Sequence, residues 1–139
     1  GSATRLQYDL LWMTRRGRPI LHGAVADDLD REIVRACRDF GVEVLRLDAI
    51  MNYVHMRVRL SVGKDTARFT TPKQLIGKLK RLTSNHLRNR HQELRKMPAL
   101  WTREQVIEDR ELTAKDIREY LAEKRWARGI QNGGENEED

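Results

Sequence analysis

Four short segments rich in apolar residues predict strands, and in one of them apolar and polar residues alternate regularly. Residues 6–14 form an apolar run rich in aromatic and branched side chains, and residues 42–47 form a second, shorter run. From Tyr53 to Leu60 the alternation is regular, so one face of this third strand is apolar and the other polar. A fourth strand is predicted from Trp101 to about Glu108.

Three other segments have apolar residues at helical spacing. The first predicted helix ends at Gly41 and has its apolar stripe at Val25, Leu29, Ile33, Cys37 and Phe40. The second runs from Lys73 to about Arg90, with leucines along its buried face. The third runs to about Arg128 and starts at a capping box, in which Thr113 is the N-cap and Asp116 takes the place of the usual glutamate.

The predicted order is strand, helix, strand, strand, helix, strand, helix. This order favours an α+β fold with a ferredoxin-like antiparallel sheet and helices packed on one face. We assign one domain to residues 6–130. Residues 1–5 are interpreted as a tag or disordered N-terminus, and residues 131–139 as an acidic disordered tail without apolar period.

Composition narrows the class of protein. No apolar run among the 139 residues is long enough to cross a bilayer, and no apolar signal segment opens the chain, so we expect a cytoplasmic location and no membrane partner. A single cysteine, Cys37, excludes an internal disulfide framework. The formal net charge is +6, and without the four tail acids it becomes +10 over the first 130 residues. The expected partner is therefore anionic.

The positive charge is concentrated between Lys73 and Lys96, where eight lysines and arginines are opposed only by Glu93. Such a run is either a solvated helix face or a surface for phosphates. The polar face of the third strand adds Tyr53, His55, Arg57 and Arg59. A lone histidine on a strand usually has a structural role, but the two nearby arginines favour binding of an anion at this face. In the last helix, one face presents Asp116, Tyr120, Glu123 and Lys124.

A helix tyrosine normally contributes to packing, but beside charged groups it can act as a nucleophile.

Several segments of the sequence resemble the single-tyrosine HUH transposases of small bacterial insertion sequences, the IS-two-hundred type. The similarity extends over about residues 6–126 and is carried by residues 8–12 (YDLLW), 18–21 (RPIL), 41–44 (GVEV), 82–88 (LTSNHLR), 100–102 (LWT) and 117–121 (IREYL).

The resemblance implies a ferredoxin-like fold that works as a homodimer on single-stranded or hairpin DNA. In that family two histidines and a glutamine hold a divalent cation, Mg²⁺ or Mn²⁺, at a scissile phosphate. A tyrosine attacks the phosphate and forms a 5′-phosphotyrosine intermediate. The implied DNA-contacting residues are Arg57, Arg59, Lys78, Arg81, Ser84, Arg88 and Arg90.

The sequence departs from the family pattern at the metal. Tyr120 matches the nucleophile and His55 the second histidine, but Tyr53 stands at the first histidine and Lys124 at the glutamine. A neutral phenol and an ammonium are poor ligands. Two ways of compensating for the missing metal ligands remain open. A carboxylate of Glu123 or Asp116 supplies an oxygen ligand, or Lys124 replaces part of the metal ion's charge and favours the Tyr120 phenolate.

Two hypotheses from different classes follow. The first is a transposase-like protein that binds single-stranded or hairpin DNA and needs no metal, its nicking weakened or lost. The second is an active transposase that cleaves and rejoins single-stranded DNA through Tyr120. A ferredoxin-like RNA-binding module is less favoured, because the paired aromatics expected on its central strands are not evident.

Overall fold

The computed structural model describes residues 5–61 and 71–130, with side chains as far as residue 124. The elements are β1 (Arg5–Met13), α1 (Gly23–Phe40), β2 (Glu43–Ile50), β3 (Tyr53–Ser61), α2 (Pro72–Arg90), β4 (Val106–Glu108) and α3 (Ala114–Ile130). The four strands pair antiparallel in the order β2-β3-β1-β4. The predicted ferredoxin-like antiparallel sheet is confirmed.

Both faces of the central strand β1 are buried. Leu10 and Trp12 face the main core, to which α1 and α2 contribute, whereas Leu11 joins a smaller cluster with Ile117 of α3. Helices therefore cover both faces of the sheet, and the expectation of helices on one face holds for α1 and α2 only. The physical reason is the run Leu10–Met13, whose four consecutive apolar side chains point to alternate faces and are all buried.

The helix termini follow local sequence signals. Gly41 ends α1 with a φ of 75°, in the left-handed region that glycine adopts at low cost. At the start of α3 the predicted capping box is present, since the backbone N–H of Asp116 donates to Thr113 Oγ1 (3.1 Å) and that of Thr113 to Asp116 Oδ2 (2.8 Å). Thr71 and Gln74 form a second capping box at α2.

The fourth strand is shorter than predicted. It begins at Val106, and Trp101 only forms an isolated bridge with Thr14. The indole of Trp101 is buried under α2, where its Nε1–H donates to Thr83 Oγ1 at 3.0 Å, and it packs edge-on against Trp12. Backbone pairing beside Trp101 and packing of its indole under α2 together hold this segment.

The domain limits are described in part. The predicted tail at residues 131–139 and residues 1–4 of the predicted tag lie outside the described residues, and Arg5 is already the first residue of β1. Within the described segments, the helices are too short or too polar to span a membrane.

Candidate functional site

A buried charge cluster lies at the centre of the sheet, around Asp9 of β1. Its carboxylate accepts hydrogen bonds from Arg57 Nε (2.7 Å) and Nη2 (3.1 Å), from His55 Nε2 (2.8 Å) and from the backbone N–H of Leu112 (2.8 Å). Burial alone would raise the pKa of Asp9, but these donors outweigh it and lower the pKa. The cluster ties β1 and β3 to the segment that precedes α3.

This arrangement changes the interpretation of the polar face of β3. The alternation predicted an open surface, but His55 is 2% exposed and its Nε2 is engaged by Asp9. Its Nδ1 lies 3.9 Å from Asp48 Oδ2. Asp9 was not predicted as a site residue, although a carboxylate in an otherwise apolar strand was the available signal, since a buried charge needs a partner.

A cavity of about 550 Å³ lies beside this cluster, between the sheet and the start of α3. Tyr53 and His55 both line it, as the resemblance implied for the two histidine positions. Burial, and secondarily the charge of Asp48, raises the pKa of Tyr53, so its phenol is neutral at neutral pH. Tyr120 and Lys124 are not among the residues that line this cavity.

Tyr120 lies in the second hydrophobic cluster, against Leu11 and Ile117, and its hydroxyl oxygen is buried. The ammonium of Lys124 is 5.7 Å from the centroid of the Tyr120 ring and forms an ion pair with Glu104. The structure therefore brings Tyr120 and Lys124 together, as predicted, and Tyr120 shares its hydrophobic cluster with Tyr53, which lines the cavity beside His55.

The two carboxylates that were considered as replacement ligands have other surroundings. Asp116 accepts from Arg110 Nη1 at 2.9 Å and from the N-cap backbone, and these donors, Arg110 first, lower the pKa of Asp116 to about 2. Glu123 is exposed on α3. Neither residue lines the cavity beside His55.

A divalent cation does not fit the predicted donor set. Tyr53 is a neutral phenol, and Lys124 is a cation paired with Glu104. Of the three positions only His55 offers a ligand atom, its Nδ1, since its Nε2 is engaged by Asp9. Among residues 5–61 and 71–124, no group of three or more His, Cys, Asp or Glu side chains is arranged to hold a metal ion. The residues present do not reproduce the metal site that the resemblance implied.

A second cavity, of about 440 Å³, is a groove between α2 and residues 99–105. Lys73, Arg81 and Arg103 line this groove and are exposed, and none of them has an ion-pair or hydrogen-bond partner within the described part of the chain. Ser84 lines it as well. We call this surface the α2 groove.

The predicted DNA-contacting residues separate into two sets. Arg81 and Ser84 line the α2 groove, and Lys78 and Arg88 lie elsewhere on the same helix. The remaining three residues are each bound to a carboxylate, namely Arg57 to Asp9, Arg59 to Glu43 and Arg90 to Asp28. Lys73 was recognised only as part of the basic run, and Arg103 was missed as a site residue because only the tertiary structure brings residues 99–105 against α2.

A second buried polar cluster joins α1 to the end of α2. Asp28 is buried and accepts from His86 Nε2 (3.0 Å), His91 Nε2 (2.9 Å) and Arg90 Nε (3.0 Å). Burial opposes ionisation, but the two imidazoles and Arg90 outweigh it and lower the pKa of Asp28 to about 2. The cluster fixes one helix against the other and pairs Arg90 with a carboxylate, while the Arg90 side chain stays exposed.

Comparison with known proteins gives a family for this architecture. A family model described as "Transposase IS200 like" matches residues 2–124. A transposase candidate from Deinococcus radiodurans R1 is structurally similar with a TM-score of 0.73, at 19% identity over 90% of this chain and 94% of that one.

A second similar structure is a REP-associated tyrosine transposase bound to a REP hairpin. It has a TM-score of 0.55 and 14% identity, and the match covers 83% of this chain but 61% of that one. At these identities the two structures support the fold alone. A search among curated proteins found no match. Because the family model extends over most of the sequence and over every described strand, the chain belongs to the IS200-like transposase family.

Proposed function

We propose that this protein binds single-stranded or hairpin DNA through the α2 groove, and that metal-dependent nicking is weakened or lost. One observation carries the proposal: three cations, Lys73, Arg81 and Arg103, converge on one groove without a carboxylate partner in the described part of the chain. An external anion would supply the missing partner.

The contrast with the other arginines strengthens this argument. Arg35, Arg46 and Arg110 lie on exposed parts of the surface, and each is paired with a nearby carboxylate. Carboxylates of the described residues thus neutralise these three guanidinium groups, whereas those of Arg81 and Arg103 in the α2 groove stay available. DNA phosphates are the anion that the family membership suggests, and one structural neighbour is itself bound to a REP hairpin.

Weakened nicking is supported by the geometry around His55 and Tyr120. The donor set does not suit a divalent cation, and the cavity beside His55 excludes Tyr120 from its lining. A phosphate in that cavity would therefore meet no donor set suited to a divalent cation, and Tyr120 is not among the residues that line it.

One observation favours the alternative, an active strand transferase. The Lys124 ammonium lies close to the Tyr120 ring, and a nearby cation stabilises a phenolate. In that reaction the Tyr120 oxygen would attack phosphorus, the bond from phosphorus to the 3′ oxygen would break, and the released oxygen would take a proton as a 3′-hydroxyl.

Homodimerisation, which the resemblance implies, is part of both proposals. Light scattering measures it.

The test uses fluorescently labelled hairpin DNA with single-stranded flanks, incubated with the wild-type chain and with Tyr120→Phe, each with Mg²⁺, with Mn²⁺ or with chelator. We expect salt-dependent binding by anisotropy for both proteins, and no covalent adduct on a denaturing gel. An adduct that is absent from Tyr120→Phe would establish the enzyme and contradict lost nicking. Absence of binding at low salt would contradict the DNA-binding proposal.

A further inference from the structure

The ammonium of Lys80 on α2 is bound by acceptors from one distant segment of the chain. Its Nζ donates to the carbonyl oxygens of Thr102 (2.9 Å) and Glu104 (3.2 Å) and to Gln105 Oε1 (2.9 Å). These acceptors lie 22 to 25 residues after Lys80 in the sequence. Since an ammonium has three N–H donors, Lys80 uses all of them within the fold. Lys80 lines the α2 groove, but its hydrogen bonds hold residues 102–105 against the helix.

Residues 102–105 depend on such contacts because they form neither helix nor strand. The segment leads into β4, and its first residue is attached to the sheet, since the backbone N–H of Thr102 donates to Met13 O at 3.0 Å. Further along, the side chain of Glu104 forms an ion pair with α3. On the side that faces α2, the hydrogen bonds of Lys80 fix the path of the segment.

Arg103 lies inside this segment, between the two residues whose carbonyl oxygens Lys80 binds. Its side chain lines the α2 groove together with that of Arg81. The two arginines reach the groove in different ways, because Arg81 belongs to the helix, whereas the backbone position of Arg103 is set by the contacts of the segment. Like charges in one groove repel each other. A segment that is not held would therefore carry Arg103 away from the other cations.

The charge of Lys80 changes close to the neutral pH range. Burial lowers the pKa of Lys80 from 10.5 to about 8, and the carboxylate of Glu104 offsets only part of this effect. The charged groups around the groove come from α2, from residues 102–105 and, through an ion pair, from α3, and they are Lys73, Arg81, Arg103, Glu104 and Lys124. Above this pH the neutral amine has two N–H donors for three acceptors. One bond to the segment is then lost, and the groove loses a positive charge.

We propose that Lys80 is a positioning residue of the α2 groove, which holds residues 102–105 so that Arg103 and Arg81 bind one anionic ligand together. The inference rests on the proposed DNA binding and adds how that binding is regulated. An anion beside Lys80 favours its ammonium form, so binding is strongest below about pH 8 and weakens as the pH rises through this value. Lys80 acts through Arg103, because its own donors are used by the segment.

A double-mutant cycle tests the positioning role. The affinity for a fluorescently labelled hairpin DNA with single-stranded flanks is measured by anisotropy at neutral pH. Arg103→Gln should weaken binding about fivefold in the wild-type background and less than about twofold in the Lys80→Met background. Arg81→Gln is the matched control: because the helix itself presents Arg81, it should weaken binding about fivefold in both backgrounds. An Arg103→Gln effect of equal size with and without Lys80 would overturn the inference.

The pH profile is a second measurement, which a purely structural role of Lys80 would not move. From neutral pH to about pH 9 the wild-type affinity should fall about fivefold. Lys80→Arg keeps its charge and its donors over this range, so it should bind like wild type at neutral pH and show no such fall. Lys115→Arg should keep the wild-type profile, since Lys115 is exposed on α3 and does not line the groove. Equally steep profiles in wild type and Lys80→Arg would overturn the inference.

Circular dichroism shows whether each variant folds. If Lys80→Met does not fold, the pH profile decides, because wild type and Lys80→Arg both retain the cation. Hairpin binding without the coupling or without the pH dependence would overturn the positioning role alone. Absence of binding by the wild-type chain would contradict the proposed function, and this inference with it.

Discussion

Replacing Asp28 by asparagine should destabilise the fold by an amount that depends on pH. The carboxylate of Asp28 accepts from two histidines and Arg90 across the α1–α2 interface, and these donors lower its pKa from 3.8 to about 2. A shift of this size corresponds to about 2 kcal/mol of stability at neutral pH. An asparagine has one carbonyl acceptor and brings two N–H donors toward groups that are themselves donors.

The sign of the pH dependence follows from the direction of the shift. Because the folded-state pKa of Asp28 is below its unfolded value of 3.8, the carboxylate stabilises the protein fully above that value. This stabilisation is lost as the pH falls from 3.8 through about 2. The difference in unfolding free energy between wild type and Asp28→Asn should therefore shrink across the same acidic range.

Urea unfolding followed by circular dichroism, at neutral pH and at several acidic values, measures this difference. Asp27→Asn is the control, because Asp27 is the exposed neighbour on the same helix and should change the free energy of unfolding by less than about 0.5 kcal/mol. A loss in Asp28→Asn that is equally large at every pH would refute the electrostatic reasoning and indicate a packing effect. No loss at neutral pH would refute the cluster as a stabilising feature.

Three further predictions concern the DNA surface, the metal and α3. Arg81→Glu should weaken hairpin binding about tenfold and flatten its salt dependence, whereas Lys115→Glu on α3 should leave both nearly unchanged; equal slopes would count against the α2 groove. Tyr53→His should produce no tight Mn²⁺ binding by calorimetry, because Lys124 still stands at the glutamine position and is paired with Glu104; strong heat would show that the two histidines suffice. Glu104→Gln should accelerate hydrogen exchange in α3 while changing stability by less than about 1 kcal/mol, and unchanged exchange would exclude the ion pair as a restraint on this helix.

Local patterns in the sequence were sufficient for most of the elements. Gly41 and the Thr113 capping box act within a few residues, and the structure has both as predicted. The alternation in β3 also placed Val54 and Met56 in the core. Such signals are readable because backbone hydrogen bonding and side-chain period are short-range properties.

Local sequence patterns predicted the candidate site only in part. The sequence indicated a basic α2 and the resemblance pointed to Tyr53, His55 and Tyr120, but period-2 alternation says only which residues share a face. It does not say whether that face is covered. The packing of α3 and the segment before it covers His55, and the pairing of β1 with β3 brings Asp9 to it.

The sequence by itself determined the family resemblance, the order of elements and the excess of positive charge, because each depends only on short stretches of neighbouring residues or on composition. The tertiary structure alone decided which cations remain without carboxylate partners in the described part of the chain. Arg90 and Arg81 both lie on α2, yet one faces Asp28 of α1 and the other faces the groove beside residues 99–105. The partner of a side chain is set by the element that packs against it, and for these residues that element is distant in sequence.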